Sequence, residues 1–202
     1  MKIIELILDE DQEDAGIEAI SIVESPAIES DFVTLNNQEV KLAEVDKEKK
    51  ILLGALLIPN KPIYRNGEEG EYYIFFSKET IVKASQMYLK NGYQNKTTLE
   101  HTKALDGLTL VESWIVEDEV MDKSRKYGLN VPVGTWMGAV KVNNDEIWDT
   151  YVKENKVKGF SIEGYFADKM ARVKDEAKES LSEDDKLINE IKNILTSEDA
   201  AK

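Results

Sequence analysis

At 202 residues with 42% hydrophobic side chains, including three Trp, eight Tyr and five Phe, the chain can bury one core and reads as a folded domain with appendages. A formal charge of −14, with the lysines spread among acids, repels a phosphate backbone and argues against nucleic acid as a partner. The lack of cysteine removes disulfides, thiol nucleophiles and thiolate metal sites, one histidine leaves a zinc site to rely mainly on carboxylates, and no apolar run approaches the roughly 18 residues of a membrane span. No metal, cofactor or membrane association is expected.

Met1 to Leu8 is too short and too soon acidic for a secretory signal, which points to the cytosol. Gly16 to Val23 (GIEAISIV) places β-branched residues in near alternation, the pattern of a strand, and Ser25-Pro26 closes it. Asn36 to Lys50 is polar and highly charged, the composition of a surface linker or a short exposed helix. Ile51 to Ile58 (ILLGALLI), ended by Pro59, and Tyr72 to Phe76 (YYIFF) read as strands. Ser77 stands as an N-cap for a helix over Lys78 to Asn91, with Ile81, Ser85, Tyr88 and Leu89 on one face and Gly92 as its stop. Thr97 to His101, Leu108 to Glu117 and Thr135 to Val142 supply three further strands. Asn144 caps a second helix that carries Ile147, Trp148, Tyr151 and Val152 and stops before Gly159, and Phe160 to Phe166 is a last strand.

From Ala167 the chain is charge-dense and has no aromatics. Ser182 caps an acidic first turn, and Leu187, Ile191, Ile194 and Leu195 then fall on one stripe. This is either a helix packed on the domain or an arm that docks on partner chains. The pattern predicts an α+β chain dominated by antiparallel strands, with two or three flanking helices and a charged helical C-terminal arm.

An enzyme built from this chain with an imidazole base must use His101, the one histidine, although a lone histidine is more often an ordinary surface or core residue. Ser161, in KGFSIEGY, sits in a strand between Gly159 and Gly164, where backbones can approach closely. The run is not a G-x-S-x-G elbow. A serine hydroxyl becomes a useful nucleophile only beside a base, and that base needs an acid to fix its tautomer. Glu112, Trp114 and Trp136 otherwise read as strand and core residues.

The block from Gly54 to Phe166 resembles the prohead serine proteases of tailed phages, through the runs GALLIPNKPIYR, YYIFFSKETI, NKTTLEHT, VESWIVED, VPVGTWMGAVKV and KGFSIEGYF. The resemblance implies a β-barrel-like sheet distantly similar to the herpesvirus capsid maturation protease. It implies that Ser161 is the nucleophile and His101 the base. The family's acid follows the serine on a strand similar to W-E-V-S-L-V-T-x-P-A, and nothing after Phe166 matches it. Ile17 to Ala27 (IEAISIVESPA) does, with Glu18 at the acid's position. A circular permutation accounts for this: residues 1–35 carry the permuted strand, 36–50 are the new linker, 1–166 form the protease domain and 167–202 a scaffold-like arm. If period-2 alternation holds, Glu18 shares a face with Ile20 and Ile22; Glu112 and Glu163 are the alternative acids.

By the same resemblance the substrates are scaffolding protein, the scaffold-like extension of the major capsid protein and the protease itself. They are cut inside the procapsid after assembly in the host or prophage-bearing cytoplasm, and a homodimer is expected. The loop near Ser25 to Ala27 is the implied source of oxyanion-binding N–H groups. Two other readings stay open: a non-catalytic capsid-assembly or scaffold-adaptor protein with a protease-like fold, and a cytosolic peptide-binding module.

Overall fold

A computed structural model describes residues 2–9, 12, 15–27, 33–35, 49–67 and 70–170. The expectations for the linker between residues 36 and 48 and for the arm from residue 171 onward lie outside the described residues. The α+β class holds, and strands dominate it.

The described strands form three four-stranded sheets. The first runs β12 (Ala167–Asp168), β1 (Lys2–Ile7), β6 (Gly70–Phe76) and β5 (Ile63–Gly67). The second runs β3 (Val33–Leu35), β4 (Ile51–Leu57), β10 (Trp136–Val142) and β9 (Leu108–Ile115). The third runs β11 (Gly159–Tyr165), β2 (Gly16–Val23), β7 (Thr97–Leu99) and β8 (Lys103–Leu105). Pairing is antiparallel except between β1 and β6 and between β2 and β7. The near-continuous apolar runs of β4 and β10 belong to the two inner strands of their sheet, buried on both faces.

Helix α1 (Lys78–Lys90) begins where expected: the Ser77 hydroxyl accepts the Thr80 N–H at 3.4 Å. It ends through Gly92, which takes the left-handed conformation at φ 73°. Thr80, Ile81, Ala84, Ser85 and Tyr88 form its buried face, whereas Leu89, expected on that face, points outward at 38% exposure. The helix expected after Asn144 is shorter and less regular. Asn144 Oδ1 accepts the Ile147 N–H at 3.0 Å, α3 (Asp145–Ile147) makes one turn, and Trp148–Val152 follow as a π-helical turn in which the Lys153 N–H reaches the Trp148 carbonyl at 2.9 Å. A further short helix, α2 (Lys123–Lys126), starts on Asp122, whose carboxylate caps Ser124 and also accepts the Trp114 indole N–H.

One core joins the sheets. Trp136, Trp148, Tyr88 and Phe160 are its largest buried side chains, and Tyr88 meets Trp136 edge to face at 5.8 Å between ring centroids. Among the described residues no helix is long and apolar enough to cross a membrane.

Candidate active site

Strand β2 lies between β11, which carries Ser161, and β7, which leads into His101. Ser21 pairs with Ser161 on one side and with Thr98 on the other. Residues paired across neighbouring strands project to the same face, so Thr98, Ser21 and Ser161 form one row across the sheet. Glu163, two residues along β11 from Ser161, shares that face.

His101 does not end the strand, as its sequence context suggests. Strand β7 stops at Leu99, and Glu100 and His101 both adopt left-handed backbone, at φ 49° and 56°. Two successive non-glycine residues in this region cost about 1–2 kcal/mol each and persist only where surrounding bonds over-determine them. Those bonds come from β2 and the residue after it. The Glu100 N–H donates to the Ile22 carbonyl at 3.2 Å, and the His101 N–H to Ser21 Oγ at 3.0 Å. The Glu24 N–H donates to Glu100 Oε1 at 2.6 Å. Ser21 is completely buried and its hydroxyl faces the Thr98 carbonyl at 3.4 Å.

The turn brings the imidazole onto β11. His101 Nδ1 lies 3.2 Å from Glu163 Oε1, the same oxygen that accepts the Thr98 hydroxyl. The two side chains are 43% and 30% exposed, while Ser161 is buried. Ser161 also borders a cavity of about 600 Å³, walled by Leu6, Leu57, Phe76, Ile162 and Phe166 among others. His101 and Glu163 do not line it.

The candidate acids separate clearly. Glu18 falls at a β-bulge: the register passes from Ala19↔Glu163 to Ile17↔Gly164, which leaves Glu18 as the extra residue of β2. Simple alternation with Ile20 and Ile22 therefore breaks at this position. Glu18 has no hydrogen-bond or ion-pair partner among the described residues, and it does not meet His101. Glu112 lies in the second sheet, ion-paired with Lys123. Glu163 is the acid that touches the imidazole. Sequence reasoning missed Ser21 and Thr98; a serine at the centre of the apolar run GIEAISIV was the available signal, because a polar side chain there must find a partner. Among the described residues no group of His, Asp and Glu converges to hold a metal ion.

Serine, imidazole and carboxylate gathered at one sheet face are the components of a serine hydrolase. A family described as "Putative phage serine protease XkdF" matches residues 39–170, and the chain belongs to this family. Neither a curated protein nor a solved structure matches it. The matched region contains His101, Ser161 and Glu163, whereas Glu18 and Ser21 precede it.

Proposed function

We propose that the protein is a serine endopeptidase in which Ser161 attacks a peptide carbonyl, His101 takes its proton and Glu163 holds the imidazole. The observation that carries the reading is the His101–Glu163 contact, two residues from Ser161 on the same strand face. When Nδ1–H donates to Glu163, the lone pair of Nε2 is free to accept the serine proton, and the carboxylate stabilises the imidazolium that results. The Thr98 hydroxyl on the same carboxylate oxygen fixes its orientation. The leaving amine takes the proton back from His101, and water then hydrolyses the acyl-enzyme by the reverse transfer. Backbone N–H groups near Ser25 to Ala27 would hold the oxyanion, a placement supported by Ala27 bordering the same cavity as Ser161.

The substrates in this reading are scaffolding protein, the scaffold-like extension of the capsid protein and the protease itself, cut within the procapsid by a homodimer. A β2 that comes early in sequence yet lies between β11 and β7 fits a circularly permuted fold. The test is mass spectrometry of the protein co-expressed with its capsid and scaffolding partners. Wild type is expected to give discrete fragments and Ser161→Ala and His101→Ala none. Glu163→Gln should be slowed on the order of 10³–10⁴-fold, with Glu18→Gln near wild type. Slowing by Glu18→Gln alone would return the acid's role to Glu18, and intact masses throughout would remove the enzyme reading in favour of a capsid-assembly role.

A further inference from the structure

We infer that the cavity beside Ser161 is a substrate pocket selecting peptides that carry an acidic side chain two or four positions from a bulky apolar one, with Arg65 receiving the acid. This deepens the peptidase reading and rests on it. One face of the first sheet forms a wall of the cavity, and its strand register sorts that wall into rows. Lys2, Tyr72 and Arg65 make the outermost row, and Ile4, Ile74 and Ile63 the next. Leu6 and Phe76 make the third, where Phe76 meets Phe166 edge to face at 4.8 Å. Leu56 and Leu57 of β4 and Ser161 and Ile162 of β11 also border the cavity. The pocket is thus apolar along its length and cationic at one end.

Arg65 is the anomaly in that wall. It is partly buried, its Nη1 donates to the adjacent Tyr64 carbonyl at 3.0 Å, and no carboxylate pairs with it among the described residues. Burial holds its pKa below the usual guanidinium range. A partly buried guanidinium that faces a cavity and has no carboxylate partner among the described residues is suited to bidentate capture of a carboxylate. The two acids on the same cavity do not fill this role. Glu71 is exposed and accepts the Tyr64 hydroxyl at 2.8 Å, and Asp168 accepts the Met170 N–H at 2.8 Å and pairs across to Leu6, at the third row.

The spacing follows from strand geometry. Alternate residues of an extended peptide share a side and lie about 6.5–7 Å apart, the same interval that separates successive rows of the wall. A carboxylate at Arg65 therefore places an apolar side chain two positions away against the isoleucine row, or four away against Leu6 and Phe76.

The test separates binding from hydrolysis. Full-length Ser161→Ala protein is immobilised and challenged with acetylated, amidated decapeptides randomised at their central positions, so that no terminal carboxylate competes. Glu and Asp should be enriched about tenfold or more over Gln and Asn at the spaced position, in line with one net charge-assisted hydrogen bond. In the Arg65→Gln background that ratio should fall to about one while the apolar preference persists, and Arg65→Lys should retain part of it. Circular dichroism and thermal midpoints confirm that each variant is folded. Absence of acid enrichment, or its survival in Arg65→Gln, overturns the pocket assignment. Wild-type protein is then given the enriched peptides: enrichment without cleavage removes the peptidase reading and leaves the pocket, and cleavage without acid enrichment does the reverse.

Discussion

Ser21 holds the backbone of His101 and so governs where the imidazole sits. Its buried oxygen accepts the His101 N–H at 3.0 Å, in a turn whose two left-handed residues have no glycine to ease them. Ser21→Ala leaves that part-buried N–H without its partner, at a cost of about 1 kcal/mol. The turn should relax toward ordinary backbone and carry the imidazole away from Glu163. Peptide hydrolysis by Ser21→Ala is expected to lose about tenfold or more in kcat with KM little changed. The histidine ring NMR signals should lose the signature of an Nδ1–H held by a carboxylate. A variant that is less stable to urea but has wild-type kcat and ring signals would reduce Ser21 to a structural residue. Glu100 contributes from the other end of the same turn, its carboxylate accepting the Glu24 N–H.

Strand β11 docks on β2 so closely that Gly164 has no room for a side chain: a Cβ there would collide with the Gly16 carbonyl oxygen and lie 2.8 Å from the Ile17 Cα. Backbone cannot give way as a side chain can. Gly164→Ala is therefore expected to destabilise by about 3 kcal/mol or more by breaking the β11–β2 register. Gly138→Ala, whose Cβ would lie nearest the Leu110 and Leu56 side chains, should cost about 1–3 kcal/mol. Urea denaturation of the two variants measures the difference.

The Gly159–Tyr165 run, the α1 caps and the inner strands β4 and β10 were legible because short-range chemistry dictates them. Strand β1 was not: KIIELI puts its apolar residues at positions that suit a helix as well as a strand, and its parallel pairing with β6 comes from residues about 70 positions away. Nor was the left-handed turn, since positive φ is uncommon outside glycine, Glu100 has no special tolerance for it, and the bonds to β2 impose it. At the site, uniqueness singled out His101, and the resemblance carried by KGFSIEGYF singled out Ser161. Glu163 stands in the sequence only as an alternative to Glu18, because the bulge at Glu18 and the contact of Glu163 with His101 both come from strand pairing.

The chain can be reopened without altering its core if the permuted arrangement holds. Strands β1 and β12 are antiparallel neighbours, with Leu6 opposite Asp168, so the two ends of the described core lie side by side. A chain that begins at Lys49, runs through Lys202 into Met1 and ends at Leu35 would exchange the link between Leu35 and Lys49 for a longer one between Met170 and Lys2. Loop-closure entropy grows slowly, and the exchange should cost on the order of 1 kcal/mol. The thermal midpoint should then drop by only a few degrees, and scanning calorimetry would show it. A chain that fails to fold would mean that β1 to β3 must precede the rest. The natural order has a temporal consequence. Strand β2 leaves the ribosome early, but its partners β7 and β11 follow at the middle and near the end of the described core, and without β11 there is neither Ser161 nor Glu163. Such long-range pairings close slowly. Under the proposed mechanism a nascent or truncated chain lacking β11 is inert, and competence arrives only with nearly the whole domain.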